Sequence, residues 1–268
     1  MSTYGEFCPV AKAMEILDER WTLLVIRELL AGTTRFNDLR RGNPKMSPAL
    51  LSKRLRSLER AGVVHRVTVG HHTTYTLTQA GEELRPIVDA IGAWGVRWIR
   101  DLGDADLDPH LLMWDIKRTV PVGQWPRQRT VLQVEFADVP PKARDWWLVV
   151  DGGTVDVCDV DPGYEPTVSI RTDLRTLTHV WRGDVTWDGA IGSGAVVLEG
   201  PPDARRAVPR WVGAGGFAEV PRPRVSPEHD VPAQLRAGRD IPMRAAPVHG
   251  IPAHPTGTRG DAPTAPTP

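Results

Sequence analysis

Met46-Ser47-Pro48-Ala49-Leu50-Leu51-Ser52-Lys53-Arg54-Leu55-Arg56-Ser57-Leu58-Glu59-Arg60-Ala61-Gly62 carries a helix start, an amphipathic body and a helix stop in one run. Ser47 suits the N-cap, because its hydroxyl accepts a backbone N–H that has no partner inside the helix. Pro48 suits the first helical position, where a missing N–H costs nothing. Leu50, Leu51, Leu55 and Leu58 recur at helical spacing and make one apolar stripe. Ala49, Ser52, Lys53, Arg56 and Arg60 fall largely on the opposite side. Such a helix fills a core with one face and offers hydroxyls and cations with the other.

Working outward, the upstream pattern predicts three more helices. The first runs from about Pro9 to Leu17 with Val10, Ala13, Met14 and Leu17 on one face, and the second from about Arg20 to Ala31, ended by Gly32. A short third contains Phe36, Leu39 and Arg40. Downstream, Val63–Val69 and Thr73–Leu77 predict a hairpin closed by Gly70-His71-His72. A long helix is then expected from near Thr78, with Leu84, Ile87, Val88, Ile91, Trp94, Trp98 and Leu102 as its apolar positions and a kink at Pro86. Helix, helix, short helix, basic helix, hairpin is the order of a winged helix-turn-helix. Residues 35–66 hold nine basic and two acidic residues, a local excess able to meet phosphates. The same charge would suit a merely solvated helix surface. On the DNA reading, Arg35, Ser47, Pro48, Ser52, Lys53 and Arg56 face double-stranded DNA, and Arg66, His71 and His72 on the wing lie along the flanking backbone.

Several motifs then carry a family resemblance. Cys8-Pro9-Val10, Trp21-Thr22-Leu23-Leu24-Val25-Ile26-Arg27-Glu28-Leu29, Arg35-Phe36-Asn37-Asp38-Leu39, Ser47-Pro48-x-x-Leu51-Ser52-x-Arg54-Leu55, Leu58-Glu59-x-Ala61-Gly62-Val63-Val64 and Tyr75-x-Leu77-Thr78-x-x-Gly81 resemble the HxlR family of regulators over residues 7–99. The resemblance implies a winged-helix homodimer, paired through the first and last helices of the domain, that represses or activates transcription in one component. Repression is the expectation adopted. Val10, Met14, Ile91, Trp94 and Trp98 are then the expected dimer interface, because a helix this long overhangs a domain of about a hundred residues; an intradomain core is the plainer alternative for Trp94 and Trp98. Trp21 is expected as a core anchor. Cys8 precedes the first helix, where the helix dipole lowers a thiol pKa. Some family members use a cysteine there as an oxidation sensor; a structural role is the competing reading.

Residues 105–220 have a different composition, acidic and rich in tryptophan. Trp146–Val150, Thr154–Cys158 and Pro166–Thr172 read as strands. A helix with Leu174, Leu177, Val180 and Trp181, a strand Ala195–Glu199 and a last helix Pro202–Trp211 follow. The helix Leu174–Trp181, the small-residue segment Ala190–Gly194 and Val196-Val197-Leu198-Glu199-Gly200 resemble the C-terminal half of the sterol carrier protein type 2 domain. That resemblance implies an α/β domain with an antiparallel sheet beside an apolar tunnel. Trp114, Trp146, Trp181 and Trp211 are candidates for its lining, against the plainer reading of a packed core.

The rest bounds the answer. A chain of 268 residues suits two domains, and the expected organisation is multi-domain: a mainly-α winged helix at 1–102, an α/β domain at 105–220 and a disordered tail at 221–268. The tail holds eleven prolines and almost no aromatics. No apolar run is long enough for a membrane helix, and no basic-then-apolar start marks secretion. Two cysteines far apart suit a reducing cytoplasm. Cys158, His179 and Ser193 lack partners at recognisable motif spacing, and neither a metal-ligand pattern nor a dinucleotide loop occurs, so no enzyme activity, cofactor or metal is expected. The reading is a DNA-binding regulator whose second domain senses a hydrophobic small molecule. Its rival is a hydrophobic-ligand carrier in which the winged helix only dimerises.

Overall fold

The Ser47 hydroxyl accepts the Leu50 N–H at 3.3 Å, and from that cap α4 runs Pro48–Arg60. A computed structural model of the chain describes residues 4–99 and 101–222. Before α4 come α1 (Pro9–Leu17), α2 (Thr22–Leu30) and α3 (Phe36–Arg41). After it, β1 (Val64–Val69) and β2 (His72–Leu77) pair antiparallel from Val64↔Leu77 to Val69↔His72. The turn is therefore Gly70-His71 alone, and His72 belongs to a strand. A two-residue hairpin needs a positive φ, which Gly70 supplies at 58°. The wing is tied to the residues before α3: the Tyr75 N–H donates to the Thr34 carbonyl at 2.8 Å, and Arg35 bridges Thr74.

Two expectations about the next stretch are corrected. The long helix from Thr78 is two helices, α5 (Gln79–Glu82) and α6 (Arg85–Trp98). Pro86 lies in the first turn of α6 rather than at a kink. Its ring would clash with the Glu82 carbonyl of a continuous helix, and it has no N–H to donate there. Leu102 lies beyond the end of α6 and extends no helical stripe. Val25, Ile26, Leu39, Leu51, Leu55, Leu58 and Val64 form the core of this half, with Trp21 packed against it. Trp21 adopts the left-handed region at φ 78°, an unusual conformation for a bulky residue.

The second half begins with α7 (Pro109–Thr119), whose first N–H groups are accepted by the Asp108 carboxylate. Then come β3 (Thr130–Phe136), β4 (Asp145–Asp151), β5 (Thr154–Cys158), β6 (Val168–Thr172), α8 (Leu174–Trp181), α9 (Trp187–Gly192), β7 (Val196–Glu199) and α10 (Pro202–Val212). They build one five-stranded sheet in the order β5-β4-β3-β6-β7. The sheet is mixed, not antiparallel: β3 and β6 run parallel at its centre. The chain leaves β5 and returns beside β3 in the same direction, so the two can only pair that way. Met113, Ile116, Leu132, Phe136, Leu148, Ile170 and Val208 lie in a second core, on which α7, α8 and α10 close. The helices of this half hold more residues than its strands. The stretch expected to be disordered, 221–268, lies outside the described residues from position 223 onward.

The two cores belong to one compact unit that includes both halves of the described chain. Glu28 of α2 joins them. Its carboxylate is 0% exposed and receives Arg27 Nη2 at 2.7 Å, Arg118 Nη1 at 2.5 Å and Trp114 Nε1 at 3.2 Å. Arg118 also binds Asp115, which accepts the Trp181 indole N–H at 2.7 Å. Burial works against the charge on Arg118, but Asp115 and Glu28 outweigh it and hold the guanidinium pKa above its ordinary value.

Candidate nucleic-acid interface

The face of α4 turned away from the core is where cations and hydroxyls collect. Leu51, Leu55 and Leu58 are buried, whereas Ser47, Pro48, Lys53 and Arg56 are exposed and Ser52 is half-buried. Arg35, at the start of α3, is exposed, as are Arg66, His71 and His72 on the wing. All nine residues expected to face DNA are thus at least partly open to solvent.

The basic residues of 35–66 do not all serve one purpose. Arg54 is turned inward, 8% exposed, bound to Glu19 at 2.5 Å and donating to the Arg20 carbonyl at 2.9 Å. It is a core fastener that the sequence counted as surface charge. Lys45 donates to the Ala105 carbonyl at 2.5 Å, which ties the turn before α4 to the second half. Among the described residues Arg35, Lys53, Arg56 and Arg66 have no acidic partner. Unpaired, exposed cations are the ones whose counterions a phosphate backbone can displace.

The residues expected to form a dimer interface are also solvent-facing in the single chain. Val10, Ile91, Trp94 and Trp98 are exposed and Met14 is half-buried. No residue of α6 is buried. A helix carrying Ile87, Ile91, Trp94 and Trp98 without burying any of them presents an apolar surface of the kind that marks an interaction site.

Of the four tryptophans expected to line a pocket, the structure brings two together. Trp114 and Trp146 border a cleft of 500 Å³ between the two halves, shared with Arg40, Arg41, His110 and Asp159. Trp181 is spent on Asp115, and Trp211 stacks on Trp125 with ring centroids 5.4 Å apart. Arg40 and Arg41 as cleft residues escaped the sequence reading, which had no means of placing α7 against α3. Cys8 and Cys158 are both free and half-buried. Among the described residues no cluster of His, Cys, Asp and Glu is arranged to hold a metal, and no helix is long and apolar enough to cross a membrane.

Comparison with known proteins agrees with this geometry. The family described as HxlR-like helix-turn-helix matches residues 16–102. The chain is similar to the uncharacterized HTH-type transcriptional regulator YvaP of Bacillus subtilis (strain 168): 39% identity over 99 residues, 35% of this chain and 92% of that protein. The chain belongs to the HxlR-like helix-turn-helix family. A second regulator of the same organism, the uncharacterized YdeP, is 34% identical over 35% of this chain and 75% of its own length. Among solved structures, the redox regulator HypR in its oxidized form is 33% identical, covering 35% of this chain and 100% of that one, with a TM-score of 0.34. This HxlR-type chain is accordingly a transcriptional regulator with a DNA-binding helix-turn-helix domain, and the family match ends at residue 102, ahead of α7 and the sheet.

Proposed function

We propose that this regulator binds operator DNA as a homodimer, with residues 1–102 as the reading and pairing domain and residues 105–220 as a domain that responds to a small molecule. The observation that carries the reading is the sidedness of α4. One face is locked into the core through Leu51, Leu55 and Leu58, and the other leaves Ser47, Pro48, Ser52, Lys53 and Arg56 open at the helix that a winged helix-turn-helix places in the major groove. Arg35 and the wing residues Arg66, His71 and His72 meet the flanking phosphates. Val10, Met14, Ile91, Trp94 and Trp98 pair the two copies. Dimerisation places two reading helices roughly 34 Å or a multiple of that apart, one per half-site. The regulation is repression, by occupying the operator. Cys8 is retained as a candidate thiol at the start of α1.

The second domain is read as a sterol-carrier-like module for a hydrophobic effector, and its layering of helices on one five-stranded sheet supports that reading. The carrier alternative, in which the winged helix serves only to dimerise, would leave the unpaired cations of α4 without a purpose. Footprinting of the full chain on genomic DNA tests the proposal. Protected half-sites spaced by whole helical turns are expected, whereas uniform salt-sensitive coating without half-sites would overturn it.

A further inference from the structure

The cleft between α3 and the second half of the chain has a chemistry that a purely hydrophobic effector would not use. Its α3 wall is cationic. Arg40 has no acidic partner among the described residues, and exposed Arg41 has only half-buried Asp38 at 3.4 Å. Exposed pairs of that kind are worth little and exchange readily. Its opposite wall is aromatic. The Trp114 ring carries the Lys117 ammonium at 4.9 Å and the Arg41 guanidinium at 5.7 Å, and His110 meets Trp146 edge-on at 4.9 Å. A guanidinium laid on an indole keeps its N–H fork free at the rim, the geometry that takes a carboxylate in two parallel bonds. The volume of 500 Å³ suits one small molecule.

We propose that this cleft binds a flat aromatic monocarboxylate. The carboxylate sits on Arg40 and Arg41, and the ring packs along His110, Val157 and Pro44, with Trp114 and Trp146 as the floor behind them. Asp159 on the same lining repels a second negative charge, so a dicarboxylate of the same size is rejected. The site is connected to the DNA-reading helix by a short path. Arg40 and Arg41 end α3, Gly42 follows, and its carbonyl accepts Arg27 Nη2 at 3.0 Å beside buried Glu28. The turn then leads through Met46 to the Ser47 cap of α4. A ligand that grips the end of α3 and α7 together biases the arrangement of the helix-turn-helix, and DNA must bias the ligand by the same factor. The inference rests on the regulator reading only for this output, not for the binding itself.

The test uses the full chain and 2-naphthoate as the probe, followed by tryptophan fluorescence. Saturable binding is expected, weakened about tenfold in an Arg40→Gln/Arg41→Gln chain, as for loss of a charge-assisted pair. The neutral 2-naphthalenemethanol and the 2,6-dicarboxylate should each bind more weakly than the monocarboxylate. Circular dichroism of the double variant guards against misfolding, and Arg40→Lys/Arg41→Lys should recover part of the affinity. No binding at millimolar probe, or equal binding of the neutral alcohol with no effect of the glutamines, overturns the proposal. A gel shift run in parallel separates the two readings: a chain that holds operator DNA but not naphthoate sinks this inference alone.

Discussion

Arg118 of α7 donates to the Glu28 carboxylate of α2 at 2.5 Å across 90 residues of chain, and no part of Glu28 is left to solvent. A carboxylate sealed from water must be paired, and the second half of the chain supplies both Arg118 and the Trp114 indole N–H. Removing Arg118 leaves Arg27 as the one cation on buried Glu28, and truncating a partner of a buried ion pair costs more than the pair itself contributes. Arg118→Met should therefore destabilise the chain by about 3 kcal/mol in urea unfolding. Glu28→Gln/Arg118→Met should be more stable than Arg118→Met alone. If the double variant proves no better, the ion pair is not what joins the halves.

Gly42 tests the same joint by steric means. A Cβ built there would lie 2.0 Å from Glu28 Cδ, while the backbone φ of −73° suits any residue. Gly42→Ala should lose stability by about 1–3 kcal/mol, as overpacked sites do, and weaken DNA binding with it. Unfolding at the wild-type urea midpoint would show that the carboxylate moves aside freely.

On α4, proposed as the reading helix, Lys53 and Arg56 should differ in kind. Arg56→Ala is expected to cost about 1–3 kcal/mol and relax preference at one operator position if it meets a base edge. Lys53→Ala, at a phosphate, should weaken all sequences alike and lower the salt slope by about one. Gel-shift titrations at several salt concentrations separate the two. Unchanged affinity in both would remove α4 from the role.

The exposed face of α6 predicts assembly. Ile91 and Trp94 are 50% and 56% exposed, so aspartate at either is tolerated by the isolated fold. Ile91→Asp/Trp94→Asp should sediment as a monomer at micromolar concentration where the unaltered chain is a dimer. An unaltered chain that is itself monomeric there would contradict the interface.

The Cys158 thiol pKa is pushed up by burial first, then by Asp156 and Asp159. A raised thiol pKa means less thiolate at neutral pH, so alkylation should be slow near neutrality and climb only above pH 9.0, the ordinary value. Asp159→Asn should bring the midpoint down. Mass spectrometry of iodoacetamide-treated protein reads this directly, and a midpoint below 9.0 would refute it.

The first half of the chain was legible because its signals are local. Ser47 and Pro48 start α4, Gly62 follows its end, and the leucines mark its core face within a few turns. Pro86 was legible as a disruption, but not as a helix start, since both readings have the same residue near the same place. In the second half the strands around Asp151-Gly152-Gly153 were visible from their own pattern. β3 and α7 carry no such local pattern. β3 alternates only in part, with Val131, Leu132 and Val134 buried against both faces of the sheet, so it carries no clean period. α7 holds Trp114, Asp115 and Arg118 for partners as distant as Glu28 and Trp181. Nothing in the local sequence distinguishes those from solvent-facing groups. Arg54 is hidden from a local reading for the same reason: its partner Glu19 lies in the bend between α1 and α2.

The parallel pairing of β3 with β6 sets a condition on how this chain is made. β4 can join β3 as soon as Asp151 has emerged from the ribosome, but β6 lies 36 residues beyond its partner and arrives only with Thr172. Until then β3 shows one unpaired edge, rich in valine and leucine, next to a finished hairpin. Such an edge is a template for strands of other nascent chains. Fragments ending between 151 and 168 should therefore clump rather than fold, and any truncation within the second half has to keep the sheet whole through β7.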